Sequence, residues 1–412
     1  MFRYRFFKAA GVAALVVSIF LCSGCTAVSS DTLLPSAGNR EISSVLAESE
    51  EVENSNQQLD LIAARRRKES LLGKPGYCYG TLSDEEKIVY EQLYEAVTGF
   101  QKSRVLDTTD SELIRRVYNH MIADHPEIFW VEGYTINTMK RGSNILSVEF
   151  SMKQTMKKKE VAAWQETIGS YLDKFTKAAK KQGITKKSGD YDILRFTFDY
   201  IVKHTEYKEN VKNNQNICSV FGSGYSVCQG YSVAMQYLLQ YQGIPCVTVS
   251  GVTKDTKTNH AWNMVKVDGE WYYLDVTWGD PSFLGDEKAS VDIVNYAYFC
   301  VTGKEISKTH IVGEELNLPE CTSRKYNYFI YEKQYFEKWD LAHFKKLLKR
   351  CADRGEKMLS VRFGDQKQYQ AARKLLIEEQ NIFSVLEDCV GTANKVSYVE
   401  NLDFYIVTFI WE

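Results

Sequence analysis

The sequence lacks a charge excess of either sign. Lys+Arg number 51 and Asp+Glu 53, a formal net charge of -2. That balance gives no support to a nucleic-acid-binding role. Internal repeats are absent, so a solenoid or propeller has no basis. Long apolar runs are absent except near the N-terminus, where Ala9–Cys22 is too short to span as an ordinary membrane helix. The ten cysteines include Cys22 and Cys25; the other eight contain no CxxC pair, which leaves zinc-ribbon chemistry unsupported.

What is present is an ordinary globular composition, 44% hydrophobic and 25% charged, over 412 residues, enough for two or three domains with ample core. Tyrosine (26) and phenylalanine (20) are abundant, which fits partly buried strands and names no function. Arg3, Arg5 and Lys8 precede the Ala9–Cys22 run, and "SGCTAVSS" follows it. Basic, apolar and small-residue regions in that order read as an export signal. "CSGC" is similar to a bacterial lipoprotein signal, which implies that Cys25 carries a lipid and residues 1–25 are the signal peptide. Cys22 stands where that pattern prefers leucine. The expected location is therefore exported and lipid-anchored at the cell membrane, facing outside the cytoplasm; the alternatives are a plain cleaved signal or a retained anchor. Residues 26–70 are acidic and polar, then basic at "ARRRK", with no apolar face, and read as a disordered tether. The basic run is either simply solvated or touches an anionic membrane surface.

Three folded regions are expected after the tether. Residues 71–165 form an N-terminal α+β accessory region. "SDEE" at Ser83 and "TDSE" at Thr109 read as capping boxes opening helices, followed by two strands joined at "KRGSN" and a long helix over 154–181. Residues 186–320 form a second region, with a helix at "DYDILRFTFDYIVKHTEY", a Gly/Ser loop at "QNICSVFGSGYSV", then an apolar helix ended by Gly243. Residues 325–412 alternate helix and strand, a small α/β domain. Asp340 caps its first helix, His343 has no chemical partners nearby, and no site is evident there.

The chemistry concentrates in the second region. "SVCQGYSVAMQYLLQYQG" starts an apolar helix at Cys228, where backbone N–H groups and the helix dipole favour a thiolate. "NHAWNMVKV-DG-EWYYLDVTW" is a strong hairpin signal of type I′. With Asp268 and Gly269 as the two loop residues, Val267 faces Glu270, and His260 and Asp275 become diagonal neighbours on one face, about 7–8 Å apart between backbones. A register slip of one would separate them. The imidazole of His260 could then deprotonate the thiol, with Asp275 fixing its tautomer, and the Cys228 N–H could help hold an oxyanion.

At these residues the sequence resembles the transglutaminase-like superfamily of papain-fold thiol enzymes. The matching stretches are "GYSVCQGYSVAMQYLLQYQGIPCVTVSG", "HAWNMVKVDGEWYYLDVTWGDP" and, less sharply, "YFCVTGKEISKTH". "HPEIFWV" resembles an accessory region of secreted bacterial members. The resemblance implies an α+β fold with a cysteine helix packed on an antiparallel sheet, and implies Cys228 as nucleophile, His260 as base and acid, and Asp275 as orienting carboxylate. Tyr225, Tyr231, Trp262 and Trp278 line the substrate cleft or are core aromatics. The expected activity is acyl transfer from peptide or protein amides through a Cys228 thioester, with hydrolysis (protease or deamidase) favoured over cross-linking. The competing reading is a non-catalytic peptide- or protein-binding module on the cell surface. A zinc site from Cys228, His260 and Asp275 is a further reading, which the thiol's place at a helix start makes unnecessary. Neither metal nor other cofactor is expected.

Overall fold

The structure, a computed structural model, describes residues 2–8, 36–40, 76–280, 293–391 and 393–412. Cys25, the apolar run before it and "ARRRK" lie outside the described residues. Among those described, no helix is long and apolar enough to cross a membrane.

The strands are β1 (Phe2–Lys8), β2 (Ser36–Arg40), β3 (Arg104–Leu106), β4 (Val131–Arg141), β5 (Asn144–Gln154), β6 (Glu206–Tyr207), β7 (Tyr225–Ser226), β8 (Cys246–Thr253), β9 (Asn259–Val267), β10 (Glu270–Leu274), β11 (His310–Val312), β12 (Tyr335–Phe336), β13 (Met358–Phe363), β14 (Lys395–Asn401) and β15 (Ile406–Trp411). They make three larger sheets, ordered β2-β4-β5-β3, β10-β9-β8-β11 and β1-β14-β15-β13-β12, and a small β6-β7 pair. The mixture of helices with mainly antiparallel sheets is an α+β fold.

Local sequence explains most boundaries. Ser83 caps the helix Asp84–Thr98 in a full capping box: its Oγ accepts from the Glu86 N–H, and its own N–H donates to the Glu86 carboxylate. The next cap is one residue later than expected. Asp110, not Thr109, accepts from the N–H groups of Glu112 and Leu113 and opens Ser111–Asp124. A carboxylate on the residue nearer the turn outcompetes the hydroxyl. The long helix runs Lys158–Lys181, and the loop expected over 215–227 contains a short helix, Ile217–Gly222, started by Asn216. In the C-terminal unit, Ile382–Val390 adds a helix the sequence reading left out.

One continuous apolar core runs from Tyr79 through the accessory helices and β4 to the second sheet. The C-terminal unit has a separate core built from Phe344, Leu348, Val361, Leu386, Val396 and Phe409, among others. Several contacts tie it to the rest. Phe404 sits edge-on against Tyr298 at 5.0 Å, and Arg362 Nη2 donates to Glu305 Oε1 at 2.6 Å, both residues being buried.

A buried ion pair whose one partner is deleted strands the other charge. Arg362→Met should therefore lower unfolding free energy by about 3 kcal/mol, and adding Glu305→Gln should recover much of that loss. Urea unfolding of the two variants checks both expectations.

Candidate active site

The cysteine helix, Cys228–Gln242, begins without a side-chain cap. Its N-cap is Val227, no side chain bonds its first N–H groups, and no acidic residue lies in its first turn. The dipole end therefore faces the Cys228 side chain rather than a capping oxygen. Gly243 ends the helix in the left-handed conformation, φ 90°. The chain reaches the helix through buried Ser226, whose Oγ donates to Asn214 O at 3.0 Å and lies 2.7 Å from Ser219 Oγ. These groups fill the space beside Gly230: a Cβ there would lie 1.9 Å from Ser226 Oγ and 2.7 Å from Asn214 O. The glycine of "CQGY" is what lets the helix start dock.

β9 occupies an interior position in its sheet and explains "HAWN" residue by residue. Val267 pairs with Glu270 and Asn263 with Leu274, the register that the Asp-Gly turn predicts. Asp268 and Gly269 both have positive φ, 48° and 88°, as type I′ requires. Asn263 Nδ2 donates to Ser232 O at 2.9 Å, fastening the strand to the cysteine helix. The ladder ends at Leu274, and Asp275 leaves it to donate its N–H to Tyr298 O at 3.1 Å.

The side chains then meet. His260 Nε2 lies 2.8 Å from Asp275 Oδ2. A carboxylate only accepts, so Nε2 carries the hydrogen and Nδ1 remains for the thiol. The Cys228 thiol is close enough to the ring to help raise the His260 pKa. His260 and Asp275 are buried, while the free thiol of Cys228 is half-buried. At His260 burial lowers the pKa, but the Asp275 carboxylate and the Cys228 thiol overcome it and push it up to about 10. At Asp275 burial works upward, and the two imidazoles beside it hold the carboxyl well below the usual range.

The second imidazole, His310 at the start of β11, is the residue the sequence reading missed. Its Nε2 lies 3.1 Å from the same Asp275 Oδ2. The backbone N–H of Trp278 donates to Oδ1 at 3.1 Å. The donor atoms of His260, Asp275 and His310 lie within 4.8 Å of one another, a clustering that two N–H bonds converging on one carboxylate oxygen account for. The available signal was slight: His310 ends "YFCVTGKEISKTH", after the capping box of Thr302 and Glu305.

The aromatic residues divide. Tyr231 and Trp262 are 0% exposed, which corrects the expectation that they line a cleft. Trp262 packs against the rings of His260 and His310 at 5.8 and 4.8 Å, and the Tyr231 hydroxyl donates to Asp280. Trp278 and Tyr225 are partly exposed. Trp278 covers both imidazoles at 5.5 and 4.6 Å, and the Lys208 ammonium lies 4.7 Å from the Tyr225 ring centre.

An uncapped cysteine helix docked on an antiparallel sheet brings a thiol, an imidazole and a carboxylate to one end of the second region. Residues 177–276 match the family model described as the transglutaminase-like superfamily and form a transglutaminase-like domain. The match includes Cys228, His260 and Asp275 and stops short of His310. Human kyphoscoliosis peptidase is 25% identical over 152 residues, covering 33% of this chain and 22% of that protein. The mouse protein of that name is 25% identical over 137 residues, covering 30% and 20%. This chain thus spans about a fifth of the length of these curated relatives. A solved TGase structure aligns at 16% identity and TM-score 0.25, covering 39% of this chain and 47% of that one.

Two outcomes follow from the site's construction. Gly230→Ala should cost about 2 kcal/mol through overpacking and slow alkylation of Cys228, read by urea unfolding and thiol labelling on one sample. The raised value of His260 means its charged form stabilises the fold fully below its unfolded value of about 6.5, and that contribution is lost as pH rises through about 10. The urea midpoint of wild type minus that of His260→Gln should accordingly shrink between pH 7 and pH 10.

Proposed function

We propose that this chain is a surface-anchored, transglutaminase-like thiol enzyme that takes an acyl group from peptide or protein amides through a thioester on Cys228. The observation that carries the reading is the imidazole of His260, bonded at 2.8 Å to the buried Asp275 carboxylate and acted on by the half-buried Cys228 thiol. His260 Nδ1 takes the thiol proton as sulfur attacks the amide carbon. The oxyanion forms beside the uncapped helix start, where the Cys228 N–H points. The imidazolium then returns its proton to the departing amine, and Asp275 stabilises the charge in the interval. Water resolves the thioester in hydrolysis or deamidation; a second amine would give a cross-link.

Hydrolysis is the favoured outcome, in keeping with relatives named as peptidases. Trp278 and Tyr225 are the substrate-facing aromatics of this reading, since both are partly exposed, Tyr225 three residues before Cys228 and Trp278 against the His260 ring. The export signal and Cys25 supply the rest of it: a lipid holds the enzyme at the membrane, facing outside the cytoplasm, with cell-surface peptides or proteins as substrates.

Cys228→Ala should abolish turnover, a loss of at least roughly 1,000-fold, on a peptide-amide library read by mass spectrometry. Product mass separates hydrolysis, deamidation and amine transfer. Peptide binding retained in Cys228→Ala, with no product from the wild type on any substrate, would replace this reading with that of a binding module.

A further inference from the structure

Asp275 is bonded more fully than a Cys-His-Asp arrangement requires. Oδ2 receives two ring N–H groups, from His260 at 2.8 Å and His310 at 3.1 Å, and Oδ1 receives the Trp278 N–H. The rings of His260 and His310 lie 5.3 Å apart, centre to centre.

His310 is itself held in one tautomer. Thr309 Oγ1 lies 2.9 Å from His310 Nδ1, with the buried Tyr298 ring 5.3 Å from the His310 ring. A hydroxyl donating to Nδ1 leaves Nε2 as the N–H bearer, which is what a neighbouring carboxylate requires. Hydrogen bonds run from Thr309 through His310 and Asp275 to His260. Burial lowers the pKa of His310, and a charged His260 nearby lowers it further, against the opposing pull of Asp275. His310 is thus a neutral donor.

We propose that His310 is a positioning residue that shares the Asp275 carboxylate with His260 and so limits how tightly Asp275 holds the His260 proton. The proposal rests on the reading of Cys228 and His260 as the reacting pair. A carboxylate with one fewer donor attracts an adjacent imidazolium more strongly. Shared between two N–H groups, it leaves His260 able both to take a proton from sulfur and to give it up to a leaving amine.

The segment carrying His310 is fixed from outside the sheet. Glu305, four residues before Thr309, receives the Arg362 guanidinium, and Phe404 presses on Tyr298. The C-terminal unit thereby braces the loop that delivers the second imidazole. The titratable groups facing this pair are Cys228 from the helix, Asp275 from the turn after β10, and Tyr298, on which Asp255 and Asp403 also act.

The test is the pH profile of iodoacetamide alkylation at Cys228, read by peptide mapping in the full chain, which needs no known substrate. His310→Phe keeps a ring and removes the donor; His310→Gln keeps a donor and removes the ring. Wild-type Cys228 should react faster than the other thiols. In His310→Phe, the pH at which Cys228 alkylation turns on should fall by about one unit, because the imidazolium partner is held harder. His310→Gln should stay close to wild type. An unmoved or upward shift in His310→Phe, or the same shift in both variants, overturns the proposal. Should His310→Phe fail to fold, Thr309→Val decides: it frees the His310 tautomer and should shift the profile downward by a smaller amount, and an unmoved profile overturns the proposal. A wild-type Cys228 no more reactive than the other thiols would instead sink the thiol-enzyme reading itself.

Discussion

The structure turns on one buried charge. Asp275 is 0% exposed yet held as a carboxylate. A buried carboxylate is costly unless its lone pairs are matched by donors. Three N–H groups from three segments supply them: β9 through His260, the turn after β10 through Trp278, and β11 through His310. Once that oxygen pair must be satisfied, much else is constrained. β10 has to stop at Leu274 so that Asp275 can turn inward, and Trp262 and Trp278 close apolar surface around the two imidazoles.

The parts of this arrangement that are local were legible in the sequence. An Asp-Gly turn fixes a two-residue loop, and that loop fixes the pairing of β9 with β10 to Leu274. The diagonal placement of His260 and Asp275 follows, although their bond is completed only after the strand ends. The cysteine helix was legible from its apolar spacing and from Gly243. The cap at Asp110 and the helix Ile217–Gly222 were misplaced because two neighbouring residues compete for a cap, and because a short helix among Gly and Ser carries no periodicity. His310 was out of reach for a different reason. It lies 35 residues from Asp275 in the chain, in a three-residue strand. No local pattern encodes a contact that the fold makes at that range.

Aromatic residues near a reactive group pose the reverse problem. Tyr231 and Trp262 sit within three residues of Cys228 and His260, and adjacency invites a substrate role. Their positions say otherwise: Tyr231 lies one turn down a helix with a buried face, and Trp262 shares the His260 side of an interior strand. Such sites are filled from within. Trp278, just past the sheet, is free to stay at the surface. The distinction is geometric, and it appears only when the elements are packed.

The C-terminal unit shows why a separate core does not make a separate part. Its apolar cluster is self-contained, as expected of an alternating helix and strand pattern. Its contacts with the region that carries Cys228 and His260 include a buried guanidinium on Glu305 and a ring against Tyr298. Both fall on the stretch from Tyr298 to Val312, which carries His310. That stretch has little regular structure of its own, a single short helix and a three-residue edge strand. Short elements hold a side chain poorly unless something packs behind them. A buried cation whose loss would leave Glu305 only Thr302 and the exposed Arg324 is a strong backing of that kind. The second imidazole on Asp275 and the presence of the C-terminal unit are therefore one problem in placement: the carboxylate needs a distant donor, and the donor needs a rigid wall behind it.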